Sequence, residues 1–269
     1  MKSPHECARN RRQGLSGMAR LPLPLRRLHG YIALHTGYAL LGIGCLLWSA
    51  VALPLNLILP RRYGVWLGRW TATLGFRVYL FILHLIGLAR FDLRALDALR
   101  EAGPLIIAPN HPGLLDALMV LSRLPNVTCV FKSSLLDNPL WGAGARLAGY
   151  IRNDWFFGSV NMAVEELHKG SQLLLFPEGT RTEPAPLGEF QAGAAYVSYR
   201  SGVPIQTVII EQDSRFLGKG WPLLKRPDMP MHFHLRLGQR FDPPTDPRTF
   251  TKVLRDYFLS ELRAPSSMN

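Results

Sequence analysis

The chain has 269 residues, 48% of them hydrophobic and 19% charged, and its 31 Lys and Arg outweigh 19 Asp and Glu for a formal charge of +12. That length accommodates one catalytic-sized domain with an appendage, and the apolar content excludes a disordered chain. The charge excess calls for a partner of opposite sign, such as an anionic membrane surface, and says nothing about fold. Cys7, Cys45 and Cys129 are odd in number and lack metal-type spacing, which argues against a disulfide framework and fits a reducing compartment.

Residues 1–29 form a basic N-terminal segment carrying Lys2, Arg9, Arg11, Arg12, Arg20, Arg26 and Arg27. The positive-inside rule puts that end in the cytoplasm. Residues 38–59 follow without a single charge. About 20 apolar residues suffice to cross a bilayer core, so this stretch is long enough, with Pro54 and Asn56 marking a kink or an end in its second half. Arg61 and Arg62 then oppose a simple single span. From Val65 to Ala89 the chain is again mostly apolar, and Arg69, Thr73, Arg77 and His84 share an arc of roughly 80° at the helical period.

A greasy helix with one basic stripe suits the membrane interface or a return path. Residues 30–89 are therefore expected to form a two-helix membrane-docking hairpin, re-entrant or spanning, with Trp66, Trp70, Phe76, Tyr79 and Phe81 as interfacial anchors. The expected location is the cell inner membrane, with the remainder of the chain on the cytoplasmic face. The alternatives are two core helices of a soluble protein, or an unusually long cleaved leader ending near Ala50-Val51-Ala52.

After Phe91 short apolar runs alternate with helical stretches. Strands are expected at Leu105–Ala108, Val127–Phe131, Tyr150–Arg152, Gln172–Phe176, Ile205–Ile210 and Met231–Leu237. Helices are expected at Leu114–Arg123, Leu140–Leu147, Val160–Lys169, Ala192–Ser201 and Pro247–Leu262. Such alternation predicts an α/β domain over residues 90–269, built on a mainly parallel central sheet flanked by helices.

Two segments carry candidate chemistry, each at the end of a strand. In Asn110-His111-Pro112-Gly113-Leu114-Leu115-Asp116, the histidine and aspartate would diverge by about 140° on one ideal helix. They meet only if His111 sits in a loop and Asp116 in the first turn of the next helix, a break that Pro112-Gly113 favours. Asp116 would then fix the imidazole tautomer and leave the other nitrogen free as a base. In Phe176-Pro177-Glu178-Gly179-Thr180-Arg181-Thr182, Gly179 permits a tight turn and Arg181 offers a planar fork for a phosphate. Glu178 would accept a hydroxyl or hold the arginine; an ordinary solvated turn is the alternative.

Taken together and in this order, Asn-His-x-x-x-x-Asp and Phe-Pro-Glu-Gly-Thr-Arg resemble the signature of the lysophosphatidic acid acyltransferase family, within the glycerolipid acyltransferase group. Lys132 with Gly149-Tyr150-Ile151-Arg152, and Val203-Pro204-Ile205, resemble its subsidiary blocks, so the similarity covers roughly residues 90–215. The resemblance implies acyl transfer from acyl-CoA or an acyl carrier protein to a lysophospholipid hydroxyl in phospholipid biosynthesis. His111 would be the general base and Asp116 its orienting partner. Asn110, Lys132, Arg152, Glu178, Gly179, Thr180 and Arg181 would form the acceptor site, with backbone amides after His111 stabilising the oxyanion. No metal, cofactor or covalent enzyme intermediate is implied, and no nucleic acid.

The chain departs from the family pattern at Gln191, where a basic residue is frequent, at Gln206-Thr207, which lacks the usual second proline, and in the aromatic run Trp155-Phe156-Phe157. One fewer cation opens the acceptor to an ornithine-type lysolipid or a specialised polyene lipid; a non-catalytic lipid-binding member of the fold is the remaining alternative. His232 and His234 share a strand face with Arg236, which a polar outer face explains without zinc.

Overall fold

The computed structural model describes residues 22–139, 141–183 and 186–263, so Lys2 to Arg20 of the basic segment, Cys7 and the Leu140 start of one expected helix lie outside the described residues. Pro24 occupies the first turn of helix α1 (Leu23–Ile58), where a missing N–H is harmless, and the helix thus begins seven residues before the expected hairpin. It also runs through Pro54 rather than ending there. The Asn56 amide donates to Ala52 O at 2.7 Å and to Ala143 O at 3.0 Å, tying the last turn to the rest of the molecule. Among the described residues α1 is the one helix long and apolar enough to cross a membrane, with a mean hydropathy of 1.9 in its most apolar stretch.

After a turn at Pro60 the chain returns as α2 (Arg61–Leu85). Most of its basic stripe faces the rest of the molecule. Arg69 is buried, donating to Ala148 O at 3.1 Å, Asn126 Oδ1 at 3.0 Å, Ser171 Oγ at 2.8 Å and Glu166 Oε2 at 2.8 Å. Thr73 is buried beside it, and Arg77 Nε donates to Ser122 O at 3.2 Å. The polar stripe docks the hairpin onto the domain, and the opposite face, with Trp66, Trp70, Leu74 and Phe81, is the exposed one. Periodicity reveals which residues share a face but not where that face points.

The α/β part comprises β1 (Ala89–Asp92), a 3-10 turn (Arg94–Leu99), β2 (Ile106–Pro109), α3 (Asp116–Leu121), β3 (Val127–Phe131), α4 (Ser133–Leu136), α5 (Gly142–Leu147) and β4 (Ile151–Arg152). It continues with α6 (Phe156–His168), β5 (Gln172–Leu174), α7 (Gly193–Ser201), β6 (Ile205–Gln212), β7 (Met231–Phe241) and α8 (Pro247–Arg263). The sheet order is β1-β7-β6-β2-β5-β3-β4. The five strands from β6 to β4 are mutually parallel, whereas β7 runs antiparallel to β6 and pairs in parallel with β1. β1, with its charged residues Arg90 and Asp92, is the strand that the hydrophobic pattern misses.

Neighbouring residues serve opposite faces, as a strand requires. Ile107 and Leu174 join Met119, Val120 and the hairpin residues Leu80 and Leu83 in one core. Ile106 and Leu173 join Val160, Ala163, Ala194 and Val197 from α6 and α7 in the other. The carboxyl ends of the five parallel strands share one edge. From β2 the chain leaves toward β3, and from β5 it leaves toward β6 on the far side of β2. Adjacent strands whose connections diverge open a crevice at that edge, the usual ligand position in open α/β sheets.

Candidate active site

β2 ends at Pro109, and Asn110 prolongs its pairing with β6 by side chain. Asn110 Nδ2 donates to Ile210 O at 3.0 Å and Ile210 N donates to Asn110 Oδ1 at 2.7 Å. Both amide atoms are thereby spent on backbone, so this residue, expected in the acceptor site, anchors the loop that bears His111. Gly113 follows in a space closed by Phe216 O, which a Cβ would meet at 3.3 Å. The loop then turns into α3 at Asp116.

His111 and Asp116 meet as the sequence requires. Nδ1 of His111 lies 2.9 Å from Asp116 Oδ2, and the same oxygen accepts Gly113 N at 2.8 Å. Asp116 is wholly buried, and its Oδ1 has no protein partner. Burial pushes its carboxyl above the usual carboxylate range, with the bonds from His111 and Gly113 working against that rise. The imidazole stacks on Phe176, with ring centroids 3.9 Å apart. With Nδ1 committed to Asp116, Nε2 is the nitrogen available to take a proton.

The second motif closes over the first. Glu178, 3% exposed, accepts His111 N at 3.0 Å and Thr182 Oγ1 at 2.8 Å on one oxygen, and Gly188 N at 2.8 Å on the other. Thr182 N donates to His111 O at 2.8 Å. Glu178 is thus a brace for the histidine loop, and Gly179 beside it takes the left-handed φ of 63° that the tight turn demands. Thr180 is exposed. Arg181 donates through one nitrogen to Leu217 O and Gly218 O, both at 2.9 Å, and Leu114 N reaches the same Leu217 O at 3.3 Å. The loop after β6 therefore joins the two motifs, a contribution that no residue pattern in it announces.

The expected oxyanion amides are not free in two cases: Gly113 N is bonded to Asp116 and Leu114 N to Leu217. Lys132 and Arg152 stand at the same edge as His111 but further along it. Arg152 ends β4, three strands from β2, or about 14 Å of sheet width. Its guanidinium is held by both oxygens of Asp137, at 2.8 and 2.9 Å, and by Asp154. The Asp137 bonds first, then the Asp154 bond, push the arginine pKa up, and the same contact pulls Asp137 down.

An apolar cavity of about 210 Å³ lies between the hairpin and the domain. Ala117, Leu118 and Leu121 of α3 line it, so it starts within one turn of Asp116; Leu41, Phe76 and Phe131 line other walls. Among the described residues no group of three or more His, Cys, Asp or Glu is arranged to hold a metal. His232 pairs instead with Asp213 at 2.7 Å, and Arg236 with Glu211 and Glu261.

Residues 90–211 match the family model described as Acyltransferase. The chain is 31% identical to a lyso-ornithine lipid O-acyltransferase of Pseudomonas aeruginosa over 204 residues, 72% of this chain and 70% of that protein. It is 23% identical to the 1-acyl-sn-glycerol-3-phosphate acyltransferase of the same organism over 194 residues, 68% of this chain and 72% of the relative. Its fold is similar to the crystal structure of the 1-acyl-sn-glycerophosphate acyltransferase of Thermotoga maritima. That similarity has a TM-score of 0.63 at 17% identity and covers 90% of this chain and 99% of the other.

Proposed function

The chain belongs to the 1-acyl-sn-glycerol-3-phosphate acyltransferase family, and from that premise we propose that it moves a fatty acyl group from a thioester carrier to the free hydroxyl of a lysophospholipid. The observation that carries this reading is the buried Asp116 on Nδ1 of His111, which leaves Nε2 as the nitrogen that can act as a base. In the mechanism His111 takes the acceptor hydroxyl proton as the oxygen attacks the thioester carbonyl, then returns it to the departing thiolate as the tetrahedral intermediate collapses. Atoms balance without an enzyme-bound acyl group. Asp116 holds the tautomer and stabilises the imidazolium between the two transfers.

The donor is acyl-CoA or an acyl carrier protein, and the cavity beside α3 is suited by its apolar lining to the acyl chain. Lysophosphatidic acid is the first acceptor reading, supported by Lys132, exposed at the catalytic edge, and by the Arg181 side chain there. A lyso-ornithine lipid is the second, supported by the 31% identical relative and by the two carboxylates on Arg152, which leave that corner suited to a headgroup carrying an amine. In either case the hairpin would hold the chain at the cytoplasmic face of the inner membrane, with Arg26 and Arg27 at the basic end of α1.

Purified protein offered both lysolipids with both donors, read by mass spectrometry, tests this reading. One acylated lysolipid is expected, and it should disappear in His111→Ala; acylation of neither would overturn it.

A further inference from the structure

Among the described residues, Asp116 Oδ1, Gln212 Oε1 and Tyr38 Oη are the buried side-chain polar atoms without a hydrogen-bond partner. Two of them face one spot. A Cβ built on Gly113 would lie 3.7 Å from Asp116 Oδ1 and 3.7 Å from Gln212 Oε1, with Phe216 O at 3.3 Å. Gln212 ends β6, and strand alternation puts it on the face of Val208 and Ile210. Those two share a core with Leu115 and Met119, on either side of Asp116. Register along the strand is fixed as well, because Asn110, next to His111, holds Ile210 by both backbone atoms.

Two acceptors that face each other with no proton between them repel, and a buried acceptor without a donor is costly. A half-turn of the Gln212 carboxamide exchanges its oxygen for an NH2 group of nearly the same shape. Other groups around Asp116 do not serve Oδ1: His111 and Gly113 N share Oδ2, and Glu178 is a nearby like charge. We propose that Gln212 is a positioning residue for acyl transfer, its carboxamide turning Nε2–H onto Asp116 Oδ1, so that the dyad works as a chain of three from Gln212 through Asp116 to His111. The proposal rests on the reading of His111 as the base and deepens it.

Gln212 touches no reacting atom, and its effect passes through Asp116. A donor on Oδ1 leaves Oδ2 for Nδ1 of His111 and favours the ionised carboxylate, against the burial that favours the neutral one. The ionised form is the one that stabilises the imidazolium between the two proton transfers. Losing the donor makes the carboxylate more basic and its charge more strongly felt by the ring. Both changes raise the pH at which the pair takes up a proton.

The test compares wild type with Gln212→Met and Gln212→Leu, which keep a side chain of similar bulk and remove the donor; should one fail to fold, the other decides. Full-length protein carrying nitrogen-15 histidine is titrated in detergent by NMR, the His111 signal being the one missing from His111→Ala. In both variants the apparent pKa of the pair is expected to rise by about one pH unit. In transfer assays kcat should fall about tenfold with KM little changed, and the acid limb of its pH profile should move up by the same interval. Loss of activity with the His111 titration unmoved would make Gln212 a structural residue and overturn the proposal. Unmoved titration with unchanged kcat, the result if another donor serves Oδ1, overturns it equally. The titration needs no substrate, so it decides the contact even if wild type transfers no acyl group, an outcome that would end the functional reading alone.

Discussion

Arg69 in the hairpin and Asp116 in the catalytic loop are both charged and both buried, at 5% and 0% exposure, but their surroundings differ. Arg69 donates to four acceptors on four separate segments and has Glu166 as its counter-charge. Asp116 receives two donors on one oxygen and no protein partner on the other. The first charge is satisfied and serves to fix one body on another. The second keeps acceptor capacity in reserve beside a histidine, in a dry setting that strengthens the bond to an imidazolium. A charge that holds the fold is surrounded; a charge that works on a neighbour is left short.

Removing Arg69 should produce the largest effect on stability. Arg69→Ala leaves the part-buried Glu166 with one fewer partner and removes a donor from Asn126, Ser171 and Ala148 O, at a cost of about 3–5 kcal/mol, read as a lowered midpoint in denaturant with detergent present. Asp116→Asn should behave in the opposite way. Transfer should fall by about 100-fold or more as the histidine loses its orientation, without loss of fold. The sign follows from burial: the folded carboxyl has a raised pKa and binds its proton more tightly than the unfolded one. The wild type therefore loses stability as pH rises from the unfolded value to the raised one. The variant escapes that loss, so its Tm should equal or exceed wild type at neutral pH, with the advantage vanishing as pH falls through the carboxylate range. A lower Tm at neutral pH would show Asp116 to be a structural group like Arg69.

Glu178→Gln lies between the two. It swaps one of three accepted bonds for a donor facing a donor, and about 1–3 kcal/mol of stability should go, together with part of the activity as the His111 loop loosens. Arg94→Ala marks the lower limit. Its partner Asp92 is also solvent-facing and Arg94 itself is 86% exposed, so no resolvable shift of the denaturation midpoint is expected.

The same contrast explains what the sequence discloses. The apolar runs of β3 and β6 are visible because consecutive residues on both faces are buried, and the amphipathic α8 because burial of one face imposes a period. The His111–Asp116 pairing is visible because the spacing and Pro112-Gly113 leave one way for the two to meet. The direction of the Arg69 stripe is not visible, since its acceptors come from residues 126, 148, 166 and 171, far along the chain. Asn110 and Glu178 read as ligand groups because polar residues in a motif look alike whether they face a substrate or a backbone amide. Their inward bonds depend on β6 and Gly188, which local pattern does not bring near. The carbonyls of Leu217 and Gly218 that hold Arg181 carry no residue signature at all.

The proposed base for acyl transfer is Nε2 of His111, held by Asp116. Its most direct test is kcat for His111→Ala in detergent-solubilised full-length protein, with acyl thioester and lysolipid both saturating and folding checked by Tm. A fall of about 10²–10⁴-fold at unchanged Tm, some 3–5 kcal/mol of barrier, is expected. Transfer at near wild-type rate by the folded variant would contradict it.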